Sequence, residues 1–126
     1  HYQNTTSSDV ANKWINIVPK DGKDGDLLWQ QLVSVVTDNF SDIETLNRGS
    51  MYLRTAWRVR NFEYSSARTR IVVKRSATDA MGFKVMLQAE HAPKKSKREV
   101  NAIDYKPSTR LFQPDKETID FIRDQL

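Results

Sequence analysis

Few side chains in this sequence have the types and the spacing that catalysis requires. The two histidines are His1 and His91, and His91 directly follows Glu90 near the end of a predicted strand. A histidine beside a glutamate is more often a surface pair than a general base with its orienting carboxylate. The sequence contains no Gly-x-Ser-x-Gly or HExxH motif and no glycine-rich phosphate loop. We therefore expect a protein that is not an enzyme and that needs no cofactor.

The sequence does not predict a metal site either. Asp21, Asp24 and Asp26 lie in a glycine-containing loop that is similar to the start of a calcium-binding loop. The later ligand positions hold two aliphatic side chains and one amide, so the carboxylates that a calcium loop needs there are missing. The sequence has no cysteine, which excludes thiolate metal sites, disulfides and cysteine nucleophiles from it. An acidic turn that caps a helix is the simpler interpretation.

The main candidate site is a set of basic side chains at alternating positions of consecutive predicted strands. The formal net charge is only +4, but the segment from Met51 to Arg75 contains seven lysines and arginines and a single acidic residue, Glu63. Successive side chains of a strand point to opposite faces, so the even-numbered residues share one face. This face suits an acidic protein surface or an anionic envelope polymer, or it is a solvated surface that keeps the sheet soluble. Its predicted residues are Tyr52, Arg54, Arg58, Arg60, Arg68, Arg70, Lys74 and Lys84.

Nucleic acid is the alternative partner, and the distribution of aromatic residues argues against it. β-Sheets that bind single-stranded nucleic acid usually stack its bases on two or three exposed aromatic side chains. The alternation places Trp57 and Phe83 on the apolar face, where Trp57 is expected to be largely buried beneath the first helix. Tyr52 is then the one aromatic residue among the basic side chains.

Four predicted strands position these residues. Alternating hydrophobicity and turn residues predict strands over about 42–46, 51–60, 67–74 and 83–90. Short connections join them in succession, which predicts a four-stranded antiparallel meander. The odd-numbered side chains of the last three strands are mostly apolar, so the sheet has one face that must be covered.

Two amphipathic helices flank the predicted strands. The first begins at Asp26, its N-cap, and runs to about Asn39, and the second opens at Pro114 with Asp115 as its N-cap. Packing both helices on the apolar face gives a two-layer α+β domain of the helix-grip type. The apolar positions of the helices include Leu28, Leu32, Val35, Val36, Ile119, Ile122 and Leu126.

The remaining segments set the predicted domain boundaries. Residues 1–10 are polar and predict a flexible leader, and residues 11–126 predict a single α+β domain. Residues 12–18 form either a strand at the sheet edge or an apolar strap over the core. A basic loop is expected at 94–98, and residues 100–111 are irregular or contain one more short strand. No apolar run approaches the roughly 18–20 residues that a membrane-spanning helix needs.

Several short motifs between Asp26 and Glu90 resemble one family of bacterial proteins. They are Phe40-x-x-Ile43, Arg48-Gly49, Leu53-Arg-Thr55-Ala-Trp57, Arg68-Thr-Arg70 and Gln88-Ala-Glu90. Together they resemble the helix-grip domains of small outer-membrane lipoproteins of Gram-negative bacteria, in particular the assembly lipoprotein C of the β-barrel assembly machinery. The resemblance implies a non-enzymatic interaction module on the periplasmic side of the cell envelope. It also implies an outer-membrane anchor on a lipidated cysteine upstream of His1, with residues 2–9 as the linker.

Overall fold

A computed structural model describes residues 5–20, 24–78, 82–94 and 104–126 of the chain. Within them the fold is α+β with an antiparallel sheet and two helices, one early and one at the C-terminal end, and this confirms the predicted class. The helices are α1 (Gly25–Asn39) and α2 (Gln113–Gln125). The strands are β1 (Thr5–Ser7), β2 (Ile15–Ile17), β3 (Ile43–Asn47), β4 (Tyr52–Thr55), β5 (Arg58–Asn61), β6 (Ser65–Arg75), β7 (Phe83–Pro93), β8 (Lys106–Pro107) and β9 (Arg110–Phe112).

The main sheet is built around the long hairpin of β6 and β7, each of 11 residues, which pair antiparallel along their whole length. Because β7 occupies one edge of β6, strands β4 and β5 pair with its other edge one after the other, and β3 extends the sheet beyond β4. On the far edge of β7 lie β2 and β8. The sheet therefore has seven strands in the described residues, more than the four predicted.

The predicted strand 51–60 is divided into β4 and β5, because one extra residue interrupts its pairing with β6. Arg54 lies opposite Val72, whereas Arg58 lies opposite Thr69. Between these pairs the chain advances four residues on one side and three on the other, which is a β-bulge. The N–H of Ile71 donates to the Thr55 hydroxyl at 3.0 Å. A shift of one residue exchanges the two faces of a strand, so the alternation in β5 is opposite to that in β4.

Both helices pack on the same face of the sheet. The rings of Trp29 in α1 and Phe83 in β7 stack with their centroids 5.9 Å apart. The carboxylate of Asp115 in α2 accepts a hydrogen bond from Thr69 in β6, which shares its face with the odd-numbered residues of β7. The side chains buried in this common core include Leu28, Leu32, Val36, Leu53, Ile71, Val73, Val85, Leu87, Ile119 and Ile122.

The N-caps of both helices differ from the predicted ones. The cap of α1 is Asp24, whose carboxylate accepts from the N–H of Leu27 at 2.7 Å, and Asp26 lies inside the first turn. The cap of α2 is Phe112, which offers no side-chain hydrogen bond. Asp115 lies in the first turn of α2, and its carboxylate forms ion pairs with two arginine side chains instead of accepting from the backbone N–H groups of the helix.

The segments outside the predicted strands also join the sheets. Within the predicted flexible leader, β1 pairs with β9 in a separate two-stranded sheet. The residues of β1 are all small and polar, so they show no alternation of apolar and polar side chains from which a strand could be predicted. Of the two alternatives for 12–18, the edge strand is observed as β2. The segment 104–112 contributes β8 and β9. The predicted basic loop lies largely outside the described residues.

Candidate binding face

The bulge divides the eight predicted binding residues between the two faces of the sheet. In β5, Arg58 and Arg60 point toward the helices rather than away from them, because they share the face of Thr69 and Ala67. The other six lie on the face turned away from the helices, which we call the outer face. They are Tyr52, Arg54, Arg68, Arg70, Lys74 and Lys84.

Arg58 and Arg60 take part in a buried ion cluster, defined by Arg58, Arg60, Thr69 and Asp115. Arg58 Nη2 contacts Asp115 Oδ1, Arg60 Nη1 donates to Oδ2 at 3.1 Å, and Thr69 Oγ1 donates to Oδ2 at 3.3 Å. The Asp115 side chain is fully buried. Burial, and secondly the charge of Arg60, lowers the pKa of the Arg58 guanidinium to about 10, and burial also lowers the pKa of Arg60. These two arginines therefore join β5 to α2, and their side chains lie on the helix side of the sheet rather than on the predicted binding face.

Aromatic rings complete the surroundings of both arginines. The guanidinium carbon of Arg58 lies 4.1 Å from the ring centroid of Phe40, and that of Arg60 lies 4.1 Å from the centroid of Phe112. Arg58 Nη1 also donates to the carbonyl of Asn39 at the end of α1, at 2.7 Å. These contacts of Arg58 and Arg60 join the sheet to both helices, so the predicted position of the two residues on the face turned away from the helices is wrong.

On the outer face, Arg68 forms a closed cluster with Trp57, Glu90 and Tyr105, which we call the Arg68 cluster. Its guanidinium carbon lies 4.2 Å from the Trp57 ring and 3.9 Å from the Tyr105 ring. Arg68 Nε donates to Glu90 Oε1 at 2.8 Å, and Nη2 contacts the same oxygen. The charge of Arg68 is thereby compensated within the protein. The ion-pair partner of Glu90 is therefore Arg68.

Beside this cluster lies an open groove of about 230 Å³, the outer-face groove. Arg70 Nε donates to Gln88 Oε1, and its guanidinium carbon also lies 4.2 Å from the Trp57 ring. Lys74 Nζ lies 4.5 Å from the ring of Trp14. Arg54 pairs with Glu44 on the neighbouring strand. The residues that line the groove are Trp14, Tyr52, Arg54, Arg70, Val72, Lys74 and Gln88.

Positive charge lies in and beside the outer-face groove, since Arg70 and Lys74 line it and Lys84 is the cross-strand neighbour of Lys74. Lys74 and Lys84 lie directly opposite each other in the β6–β7 register, and like charges so placed repel. Arg70 lies opposite the neutral Gln88. Among the described residues, none of these three cations makes an ion pair. Binding of an anion here would relieve the repulsion between the two lysines.

The structure places more aromatic residues on the outer face than the alternation predicts. Trp57 is half-buried beneath the guanidiniums of Arg68 and Arg70, so its predicted burial under α1 is wrong. Trp14 and Tyr105 reach the same face from segments for which no such role is predicted. Neither Gly nor Pro occurs between Arg54 and Arg58, so no common turn residue marks the bulge that moves Trp57.

The described residues, 5–20, 24–78, 82–94 and 104–126, also bear on metal binding and on membrane-spanning helices. In these ranges, no three His, Cys, Asp or Glu side chains come together as a possible metal site. Neither of the two helices described is long and apolar enough to cross a membrane. Asp21, one of the three aspartates in the acidic loop, lies outside the described residues.

Comparisons with known proteins add no functional assignment. No model of a protein family matches the chain, and a search of curated proteins gives no matching sequence. The resemblance to envelope lipoproteins therefore stays a prediction from short motifs. The geometry and charge of the outer face are the basis for any proposal about function.

Proposed function

We propose that this chain is a non-enzymatic binding module that docks an anionic partner on the outer-face groove. The observation that supports the proposal is the group of three cations, Arg70, Lys74 and Lys84, that no described carboxylate compensates. An acidic protein surface or an anionic envelope polymer would supply the missing negative charge. Complementary charge of this kind accelerates encounter and selects partners, and it becomes weaker as salt screens it.

Arg70 is prepared for such a partner by its neighbours. Gln88 accepts from its Nε, and the Trp57 ring supports its guanidinium plane. The terminal nitrogens are left to donate in parallel to a carboxylate or phosphate, which a planar guanidinium does better than an ammonium. A side chain that is already held in place loses less conformational freedom when it binds.

Single-stranded nucleic acid is the second candidate, because Trp14 and Tyr52 both line the groove. Base stacking needs a free ring face, however, and several rings on this side already carry a cation of the protein. Lys74 lies over Trp14, and Arg68 and Arg70 lie over Trp57. A base would have to displace these contacts or use the opposite ring face, so the acidic partner is favoured.

A charge-reversal pair in the groove tests the proposal. Arg70→Glu with Lys74→Glu is compared with the control Lys20→Glu with Arg48→Glu, which makes the same charge change at exposed positions outside the groove. The probes are fluorescein-labelled poly-glutamate and labelled oligothymidylate, followed by fluorescence anisotropy. Wild type and control should bind poly-glutamate in a salt-sensitive way, and the groove variant should bind at least about tenfold more weakly.

The other outcomes of this experiment are equally informative. Tighter binding of oligothymidylate than of poly-glutamate, lost in the groove variant, favours the second candidate. Binding of neither probe, or equal losses in the groove variant and the control, contradicts the proposal. Circular dichroism of each variant establishes that the comparison is made between folded proteins.

We also propose the cell envelope as the location of this module, on the basis of the lipoprotein resemblance. Successive antiparallel pairing of β3 with β4, of β4 and β5 with β6, and of β6 with β7 is compatible with a helix-grip architecture to which further edge strands are added. The precursor sequence tests the location. A hydrophobic segment followed by a lipidation cysteine upstream of His1 supports an outer-membrane anchor, and its absence from the precursor contradicts one.

A further inference from the structure

We propose that copies of this chain associate head to tail, with the helix side of one copy docked on the outer face of the next. The inference rests on the proposed function, because it assigns a second copy of the chain as an anionic partner of the outer-face groove. Its basis is a second groove on the helix side of the molecule, whose charged side chains are acidic where those of the first groove are basic.

The second groove lies between α1 and α2 and has a volume of about 380 Å³. Val35 from α1 and Pro114 from α2 contribute apolar surface to its wall. Phe121, which also lines it, is 47% exposed, a large fraction for a phenylalanine beside a helix–helix contact. Exposed aromatic surface beside a groove is typical of sites that bind another protein. We call this site the helix groove.

Two acidic side chains line the helix groove. Asp38 and Glu117 both line it, both are exposed, and neither forms an ion pair with any residue that the structure describes. Farther along α2 the acids are compensated, since Asp120 pairs with Lys116 and Arg123. Asp38 of α1 and Glu117 of α2 thus line the same groove as the exposed ring of Phe121.

The outer-face groove has the opposite charge and a suitable anchor. Arg70 and Lys74 line it, Lys84 lies opposite Lys74 on the next strand, and Trp14 is 39% exposed at the groove wall. Tryptophan and arginine are the residues that most often dominate the binding energy of an interface when a partner surface encloses them. Trp14 of one copy packed beside Phe121 of the next would bring its cations close to Asp38 and Glu117.

The position of the two grooves determines the form of the assembly. The helix groove lies on the helix layer and the outer-face groove on the far side of the sheet, so the two surfaces are on opposite sides of one copy. Contacts between two different surfaces are heterologous and produce rings or open chains rather than a closed symmetric dimer. Because the complementarity is largely electrostatic, salt should dissociate the assembly.

Sedimentation velocity of two charge-reversal variants tests this assembly. One carries Asp38→Lys with Glu117→Lys in the helix groove, and the other carries Arg70→Glu with Lys74→Glu in the outer-face groove. Wild type should show a sedimentation coefficient that rises with protein concentration at about 50 mM salt and no longer does so at about 500 mM. Each variant alone should remain monomeric, whereas their equimolar mixture should associate, because each reversed groove meets one of opposite charge.

Three results would overturn the inference: a wild type that is monomeric at every concentration and low salt, a closed dimer that persists in the outer-face variant, or an equimolar mixture that stays monomeric. Binding of poly-glutamate separates this inference from the proposed function. The helix-groove variant should bind poly-glutamate at least as tightly as the wild type, because it keeps the outer-face cations and gains two lysines, while losing self-association. A wild type that binds poly-glutamate but never self-associates contradicts only the head-to-tail assembly, and loss of both properties contradicts the two proposals together. The control Lys20→Glu with Arg48→Glu should self-associate as the wild type does.

Discussion

Replacing Asp115 by asparagine tests the buried ion cluster, because it keeps the shape of the side chain and removes its charge. The carboxylate is fully buried and contacts Arg58, Arg60 and Thr69, while the side chains of the two arginines are 33% and 28% exposed. An amide has one acceptor oxygen instead of two, and its NH₂ group would face guanidinium donors. The substitution therefore leaves two mostly buried cations without a counter-charge.

The size of the effect follows from burial. Removing one partner of a buried ion pair costs about 3–5 kcal/mol, whereas exposed pairs contribute about 0.2–1 kcal/mol. Water can reach the exposed third of each arginine, so we expect Asp115→Asn to lower the free energy of unfolding by about 3 kcal/mol. Arg58 Nε is already buried without a hydrogen-bond partner among the described residues. Loss of the Asp115 charge would add to the unfavourable desolvation of this guanidinium. The thermal midpoint should fall by roughly 10–15 °C.

Urea denaturation followed by tryptophan fluorescence and circular dichroism measures the loss. The denaturation midpoint should fall with an unchanged slope, since the surface exposed on unfolding is the same. A triple variant, Arg58→Met with Arg60→Met and Asp115→Leu, should be close to wild type or more stable, because it removes the buried charges together. A loss below about 1 kcal/mol for Asp115→Asn would falsify the idea that this cluster fastens α2 to the sheet, since that is the size of an exposed pair.

Three further substitutions test local features of the fold by the same denaturation assay. Thr55→Val removes the acceptor of the buried Ile71 N–H and should cost about 1–3 kcal/mol; no loss contradicts a role of this bond in the bulge. Asp24→Ala should cost about 1 kcal/mol as a lost N-cap, while Asp26→Ala changes little; the reverse order contradicts the cap assignment. Trp57→Ala should cost about 1–2 kcal/mol, and a loss of 3–5 kcal/mol would indicate core burial.

The elements that the sequence predicts well are those whose periodicity is decided by burial on one side. In α1, Leu28, Leu32 and Val36 recur at helical spacing and are all buried. In β6 and β7, the alternation continues because each strand pairs along its whole length with the other. For such elements the hydrophobic pattern and the tertiary environment agree, so local sequence is sufficient to predict them.

Elements held mainly by contacts distant in sequence could not be predicted in this way. Asn12 has a positive φ of 62°. Its side-chain amide donates to the carbonyl of Ala89 at 3.1 Å and accepts from the N–H of Ala89 at 2.9 Å, as the backbone of a paired strand residue would. Asp115 has the residue type and position of a helix N-cap, but its carboxylate forms ion pairs with the two arginines of β5 instead. Neither role is visible without knowing which segments are neighbours.

The composition of the candidate site depends on the single extra residue between Arg54 and Arg58. Had the alternation continued, Arg58 and Arg60 would lie on the outer face and Trp57 would face the helices. Asp115 would then be buried opposite the large apolar side chain of Trp57 with no cation to compensate it, which a folded protein strongly disfavours. The bulge therefore does two things at once. It supplies the counter-charges that allow a carboxylate inside the core, and it moves to the outer face the Trp57 ring against which the Arg70 guanidinium packs.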